Sequence, residues 1–456
     1  MKKMHLRKAL ALMMCVVFIA SLFAGCSNQG SEPAANNPPQ ESPESGVVPA
    51  EKKPEDFTGE LTFWHFNKDE GPKLAEAFMG KYPNVKVNVQ ITSDTDLAYQ
   101  NKVTSAIRAG SGMPDVLAAE NAFVKRFVNL PGGFENLSAA PFNAEEYVDA
   151  NIPYTVDIGR DNAGNMRALS WQACPGGVGY KRDLAKKYLG TDDPDEISAM
   201  LSTPEKIVET ARKVKEASKG KAKLFVGTED LYKIYVGGAR TQPWVKDNKF
   251  IIDPKMLEYI DIAKTMRDEG LEGGIRQWTP AWSAAVADDI HMCYAIPTWG
   301  IQWIVAVNDE KNAQAGRWAV ATPMPYYEGG TWAGISQQSK NKELAWEFVK
   351  FLATDKEHLK AWAIKTGDFV NHIAVIEELK NDSSFVNKTV NQNTYEVYGP
   401  MVEKVNGNLI TQYDDQMRKS FQDIMQTYLA GKITKEQFIQ QFKEKVKSDL
   451  PDLIVE

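Results

Sequence analysis

Between Gly59 and Ala118 the chain alternates strand and helix signals, and that alternation restricts the fold more than any other stretch does. The run Gly59-Glu60-Leu61-Thr62-Phe63-Trp64-His65-Phe66 places apolar side chains at the period of a strand, with Phe57 ahead of it as a seat. Residues 73–81 gather Leu74, Ala77 and Phe78 on one helical face, and Pro83-Asn84 then breaks the chain. A second strand is expected over 85–89, a helix over 96–109 ending at Gly110-Ser111-Gly112, and a third strand over 114–118. This order predicts a right-handed, largely parallel sheet. Ligands of such sheets bind beyond the carboxyl ends of the strands, where His65, Asn67, Glu120 and Asn121 fall. On an alternating strand one of Trp64 and His65 faces the core, and His65 is the one expected toward the ligand.

The first residues carry a different message. Lys2, Lys3, Arg7 and Lys8 precede an apolar run over 9–20, and Leu22-Phe23-Ala24-Gly25-Cys26 follows. This is the layout of a secretory signal, with a run too short for a comfortable membrane span. The pattern resembles the lipobox of bacterial lipoproteins, which implies a signal peptide over 1–25 and an acylated Cys26 as the mature first residue. Residues 27–56 are rich in Ser, Asn, Pro, Glu and Gln, so 26–56 reads as a disordered tether. A long polar tether suits a Gram-positive cell surface, with the protein held outside the membrane by its lipid.

About 400 residues remain, enough for two sizeable cores. The net charge is −7, and it becomes −11 once the four basic residues of the signal are removed. A mildly acidic chain without a basic cluster argues against a nucleic-acid partner. After Cys15 and Cys26, only Cys174 and Cys293 are left, either bridged or as two buried thiols.

Four further stretches carry a resemblance that spans most of the chain. They are Trp64-His65 with Tyr82-Pro83-Asn84-Val85-Lys86-Val87, Gly110-Ser111-Gly112-Met113-Pro114-Asp115-Val116, and Val178-Gly179-Tyr180-Lys181-Arg182-Asp183-Leu184. The fourth runs from Gly334-Ile335-Ser336 through Asn341-Lys342-Glu343-Leu344-Ala345-Trp346-Glu347-Phe348-Val349-Lys350-Phe351-Leu352. In this order, after a lipobox, they resemble the extracellular solute-binding proteins of ABC importers, in the sugar-binding family that includes maltose-binding protein. The resemblance implies an α/β, two-lobe periplasmic-binding-protein-like fold of type II, with a hinge and an interlobe cleft. It implies a first lobe over 57–169 and 334–372 and a second over 170–333 and 373–456. Amphipathic helices over 204–218, 253–269, 412–429 and 434–447 and a strand over 291–296 agree with that plan.

A pyranose presents one apolar face and a rim of hydroxyls, so its site needs flat aromatics beside acids and amides. Trp299, next to Gly300 after the 291–296 strand, and Trp332, where the chain would cross between lobes, are candidates for the cleft or the core. Trp282 either reaches the ligand or packs at the start of a helix over 282–287, and Trp171 is placed by its position near the first crossing. Glu120 and Asn121 follow the third strand, where the family places an acid that grips sugar hydroxyls. Glu229 and Asp230 are read as a second-lobe loop facing the cleft or as solvated surface. Asp368 matches a family cleft loop, although Val370 stands where that pattern has proline.

Catalysis is not expected. The paired acids Asp192-Asp193, Asp288-Asp289 and Asp414-Asp415 are adjacent in sequence and point apart, and the histidines have no metal spacing. No cofactor or metal is expected. The chain is read as a monomer that captures a sugar or oligosaccharide and delivers it to ABC permease subunits. The alternatives are another polar solute, such as a glycerophosphodiester or polyamine, or a surface carbohydrate-processing enzyme or adhesin.

Overall fold

A computed structural model describes residues 52–456. The signal peptide, Cys26 and most of the tether lie outside these residues. What is described of the tether is tied to the first lobe: Lys52 donates to Glu343, and Asn84 Nδ2 donates to Glu55 O at 2.8 Å.

Two sheets organise the chain. The first has the order β2-β1-β3-β11-β4, from β1 (Gly59–His65), β2 (Val85–Ile91), β3 (Val116–Glu120), β4 (Leu169–Ser170) and β11 (Thr331–Ile335). The second has the order β10-β5-β9-β6, from β5 (Pro175–Lys181), β6 (Lys223–Phe225), β9 (His291–Pro297) and β10 (Trp318–Tyr327). A small hairpin of β7 (Val245–Lys246) and β8 (Lys249–Phe250) stands apart from both. β1 is parallel to β2 and β3, as the alternation of strands and helices requires. β11 returns antiparallel between β3 and β4, so the sheet is mixed. These are two α/β lobes, and the late-returning β11 makes them the type II arrangement.

Helices cover both faces of the first sheet, and that overrides the expected alternation on β1. Trp64 and His65 are both buried, 6% and 0% exposed. Trp64 donates to Gln90 with Lys102 over its ring, while His65 packs on α1 (Glu70–Lys81). Gly71 on that helix is needed for the approach, because a Cβ there would lie 2.9 Å from the His65 side chain. Helix α2 (Ala98–Ala109) and helix α3 (Asn121–Val128) complete the first lobe's opening units.

The chain passes between the sheets after Ser170 and before Thr331, and an isolated bridge of Gln172 with Val370 brings a third chain segment to the hinge. Residues 331–333, expected in the second lobe, pair with β3 and β4 and belong to the first sheet. The C-terminal helices Asp414–Leu429 and Lys435–Asp449 pack on each other and on the second lobe. Thr434 caps the last of them through a reciprocal pair with Gln437. Cys174 and Cys293 are buried free thiols, not a bridge. No helix among the described residues is long and apolar enough to cross a membrane.

Candidate functional site

The start of α3 sets one wall of the site. β3 ends at Glu120, whose carboxylate accepts from Ala122 N at 2.7 Å and caps the helix. Burial, with Asp94 and Asp415 nearby, pushes that carboxyl up to about 7. Asn121 follows with its side-chain oxygen buried and unpartnered. Both line a cavity of about 320 Å³ between the lobes. The facing walls are the helices Thr228–Ala239 and Asp414–Leu429, and the floor is the crossing strand over 325–329.

An aromatic edge completes the cavity. Trp278 lines it, half exposed, and stacks on Trp299 at 5.8 Å between ring centroids and 19° between planes. Trp278 holds φ +63°, a left-handed conformation that costs a bulky residue on the order of 1–3 kcal/mol. Trp299 donates from Nε1 to Glu328 O at 2.8 Å and lies against Gly329, where a Cβ would meet it at 2.7 Å. Lys233 spans this edge, pairing with the Glu328 carboxylate and lying 5.0 Å over the Trp278 ring. The other Glu328 oxygen is buried without a partner. Trp299 is itself partly buried against the core and does not line the cavity, so it backs Trp278, whose flat face beside carboxylates, an amide and an ammonium can hold a ligand with one apolar face and a polar rim.

The remaining sequence candidates are placed elsewhere. Glu229 and Asp230 lie in the first turn of Thr228–Ala239, not in a loop. Glu229 accepts from Arg276 and Gln277 N, while Asp230 is fully buried and accepts from Trp282 Nε1 at 3.0 Å and Ala295 N at 2.9 Å. Trp282 is therefore core, in a helix beginning at Pro280. Trp332 sits inside β11, fully buried, with Nε1 on Thr155 O. Acids in a helix's first turn are what its dipole favours, a signal the sequence did carry at 229–230.

His65, Asn67, Trp171 and Asp368 come together in a second polar cluster beside the hinge. Asn67 Oδ1 accepts from Asp69 N and Glu70 N at the start of α1, and His65 Nδ1 accepts from Asn67 N. Glu70 accepts from Trp171 Nε1 at 3.2 Å and Gln172 Nε2 at 3.0 Å, and Gln172 also reaches Asp368 at 2.7 Å. Trp171 is fully buried, and these groups hold one another. Lys233, Trp278 and Glu328, the residues that shape the cavity's edge, had no such positional signal. They come from a helix face, a strained loop and a crossing strand. No group of three or more metal-ligating side chains is assembled among the described residues.

A family model described as bacterial extracellular solute-binding protein matches residues 68–358. A solved extracellular solute-binding protein of family 1 superposes with a TM-score of 0.76 at 18% identity, covering 85% of this chain and 99% of that one. The GacH receptor of Streptomyces glaucescens, solved unliganded and with acarbose, gives 0.66 at 19% identity, over 87% of this chain and 100% of its own. The galacto-N-biose-/lacto-N-biose I-binding protein of an ABC transporter of Bifidobacterium longum, solved with lacto-N-biose, gives 0.68 at 14%, over 88% and 99%. At these identities the likeness is one of fold.

Proposed function

The chain belongs to the bacterial extracellular solute-binding proteins, and on that premise we propose that it captures a sugar or oligosaccharide and hands it to an ABC permease. The observation that carries the sugar reading is the stacked Trp278–Trp299 pair beside Glu328 and Lys233, opposite Glu120 and Asn121. Ring stacking serves the apolar face of a pyranose, and the charged groups serve its hydroxyls. Glu120 and Asn121 approach from one lobe and Lys233 and Trp278 from the other, so a ligand touching both stabilises the closed arrangement over the open one. Relatives of the same fold are described with acarbose and with lacto-N-biose, which supports the class without fixing the sugar.

The test is a thermal-shift screen of the soluble chain beginning at Ser27 against mono- and oligosaccharides. A ligand that binds only the folded state raises Tm by mass action. A shift with one saccharide class, weakened roughly tenfold or more in affinity by Trp278→Ala, is the expected result, as the loss of an aromatic anchor implies. A flat response to every saccharide would remove the sugar reading.

The same reading puts the protein on the outer face of the membrane as a monomer held by lipid on Cys26. Cys26→Ser should move it from the membrane fraction into the culture medium, and retention on the membrane would refute the anchor.

A further inference from the structure

The interlobe cavity has a neighbour beside α3. A second cavity, of about 400 Å³, opens beside it between Leu97 and Gln100 on the first lobe and the Asp414–Leu429 helix on the second. Arg126 and Asp415 line both. The two cavities thus lie side by side with Arg126 and Asp415 in their shared wall, and together they offer more room than one sugar ring needs.

The charge at this junction is out of character for the chain. The whole sequence is acidic at −7, yet the inner cavity is lined by six basic and four acidic side chains, and the second cavity by three of each. Most carboxylates there are already matched: Glu328 by Lys233, and Asp414 by Arg240 at 2.9 Å. Asp415 is shared between Arg418 and Lys419, each at 2.8 Å. Arg126, exposed on α3, donates only to the neutral Gln100 amide at 2.8 Å and makes no ion pair among the described residues. Lys125 beside it donates to the carbonyl oxygens of Asp157 and Arg160 and makes no direct ion pair among the described residues, although the Asp157, Asp161 and Asp414 carboxylates lie near enough to act on its charge. A guanidinium offers a planar fork of donors that fits a carboxylate with two parallel hydrogen bonds.

We propose that the ligand is an acidic oligosaccharide, a short chain carrying at least one uronate ring, which runs through both cavities and sets its carboxylate against Arg126 at their junction. This deepens the carbohydrate reading above and rests on it. Glu120 is the one acid of the inner cavity near that position without a cation partner. Burial pushes its carboxyl up to about 7, which weakens its repulsion of an incoming carboxylate.

The test uses short oligomers from polygalacturonate, alginate and hyaluronan, each before and after chemical reduction of its carboxyl groups to neutral alcohols. Binding to the soluble chain is read by thermal shift and then by titration. One acidic set should bind at least tenfold more tightly than its reduced counterpart. Arg126→Gln should erase that difference while leaving the Tm of the unliganded protein unchanged, since Arg126 is exposed. Equal binding before and after reduction, binding of neutral sugars only, or an undiminished preference in Arg126→Gln would each overturn the proposal and leave the carbohydrate reading standing. No response to any saccharide, acidic or neutral, would overturn both.

Discussion

Trp282→Ala should destabilise the folded chain by about 3–5 kcal/mol, the range for removing a large aromatic from a packed core. Trp282 is 1% exposed, and its ring meets Trp278 on one side and Tyr294 on the other. Its loss also takes a donor from Asp230, a carboxyl with no exposure that burial already pushes up to about 7. Only Ala295 N would then remain to hold that charge. Trp282→Phe separates the two effects, since it keeps most of the volume and deletes the Nε1 donor, at a cost of about 1–3 kcal/mol. Urea denaturation of both variants is the measurement. A Trp282→Ala protein of unchanged midpoint but weakened ligand binding would return Trp282 to the site and refute its placement in the core.

That placement shows where the sequence was legible and where it was not. β1, β2 and α1 announce themselves because each repeats an apolar period between clear breakers, such as Pro83-Asn84 ahead of Val85. The 204–218 and 253–269 segments form as the helices Pro204–Ala217 and Pro254–Asp268, because Thr203 and Asp253 cap them ahead of proline. Periodicity says less about which side of an element meets water. On β1 the helices of both faces bury Trp64 and His65 alike, so the alternation that identified the strand misled about its orientation.

The site divides the same way. Glu120 and Asn121 reach the cavity because the end of β3 fixes them there, and the end of a strand can be read from sequence. Lys233 reaches it by the rotation of a helix, Glu328 by the path of a crossing, and Trp278 by a single left-handed residue. None of these three leaves a periodic trace. Trp332 shows the converse: its place at the crossing between lobes left cleft and core both open, and strand pairing draws it into β11 and the core.

Glu70→Gln should flatten the pH dependence of stability between about 4.5 and 8. In the wild-type fold Glu70 is nearly buried and faces Asp368 across Gln172. Burial, reinforced by the Asp368 charge, pushes its carboxyl from an ordinary 4.5 up to about 8. Its nearest basic group, His65 Nε2 at 3.4 Å, gives little relief, because burial drives that imidazole down to about 3 and keeps it neutral. Between the two Glu70 values the folded chain holds a proton that the unfolded chain has released. Stability from this group is therefore full below about 4.5 and lost as pH rises through 8. At about 1.4 kcal/mol per pH unit the loss across the window is at most about 5 kcal/mol. Asp368 is also raised, by burial, and adds to the slope in the same direction. Urea midpoints of wild type and Glu70→Gln across this range read the difference directly. Curves that converge toward low pH and separate as pH rises are expected, with the variant the more stable at pH 8. Parallel curves would mean that Glu70 keeps its charge in the folded chain, held there by Trp171 and Gln172 despite its burial.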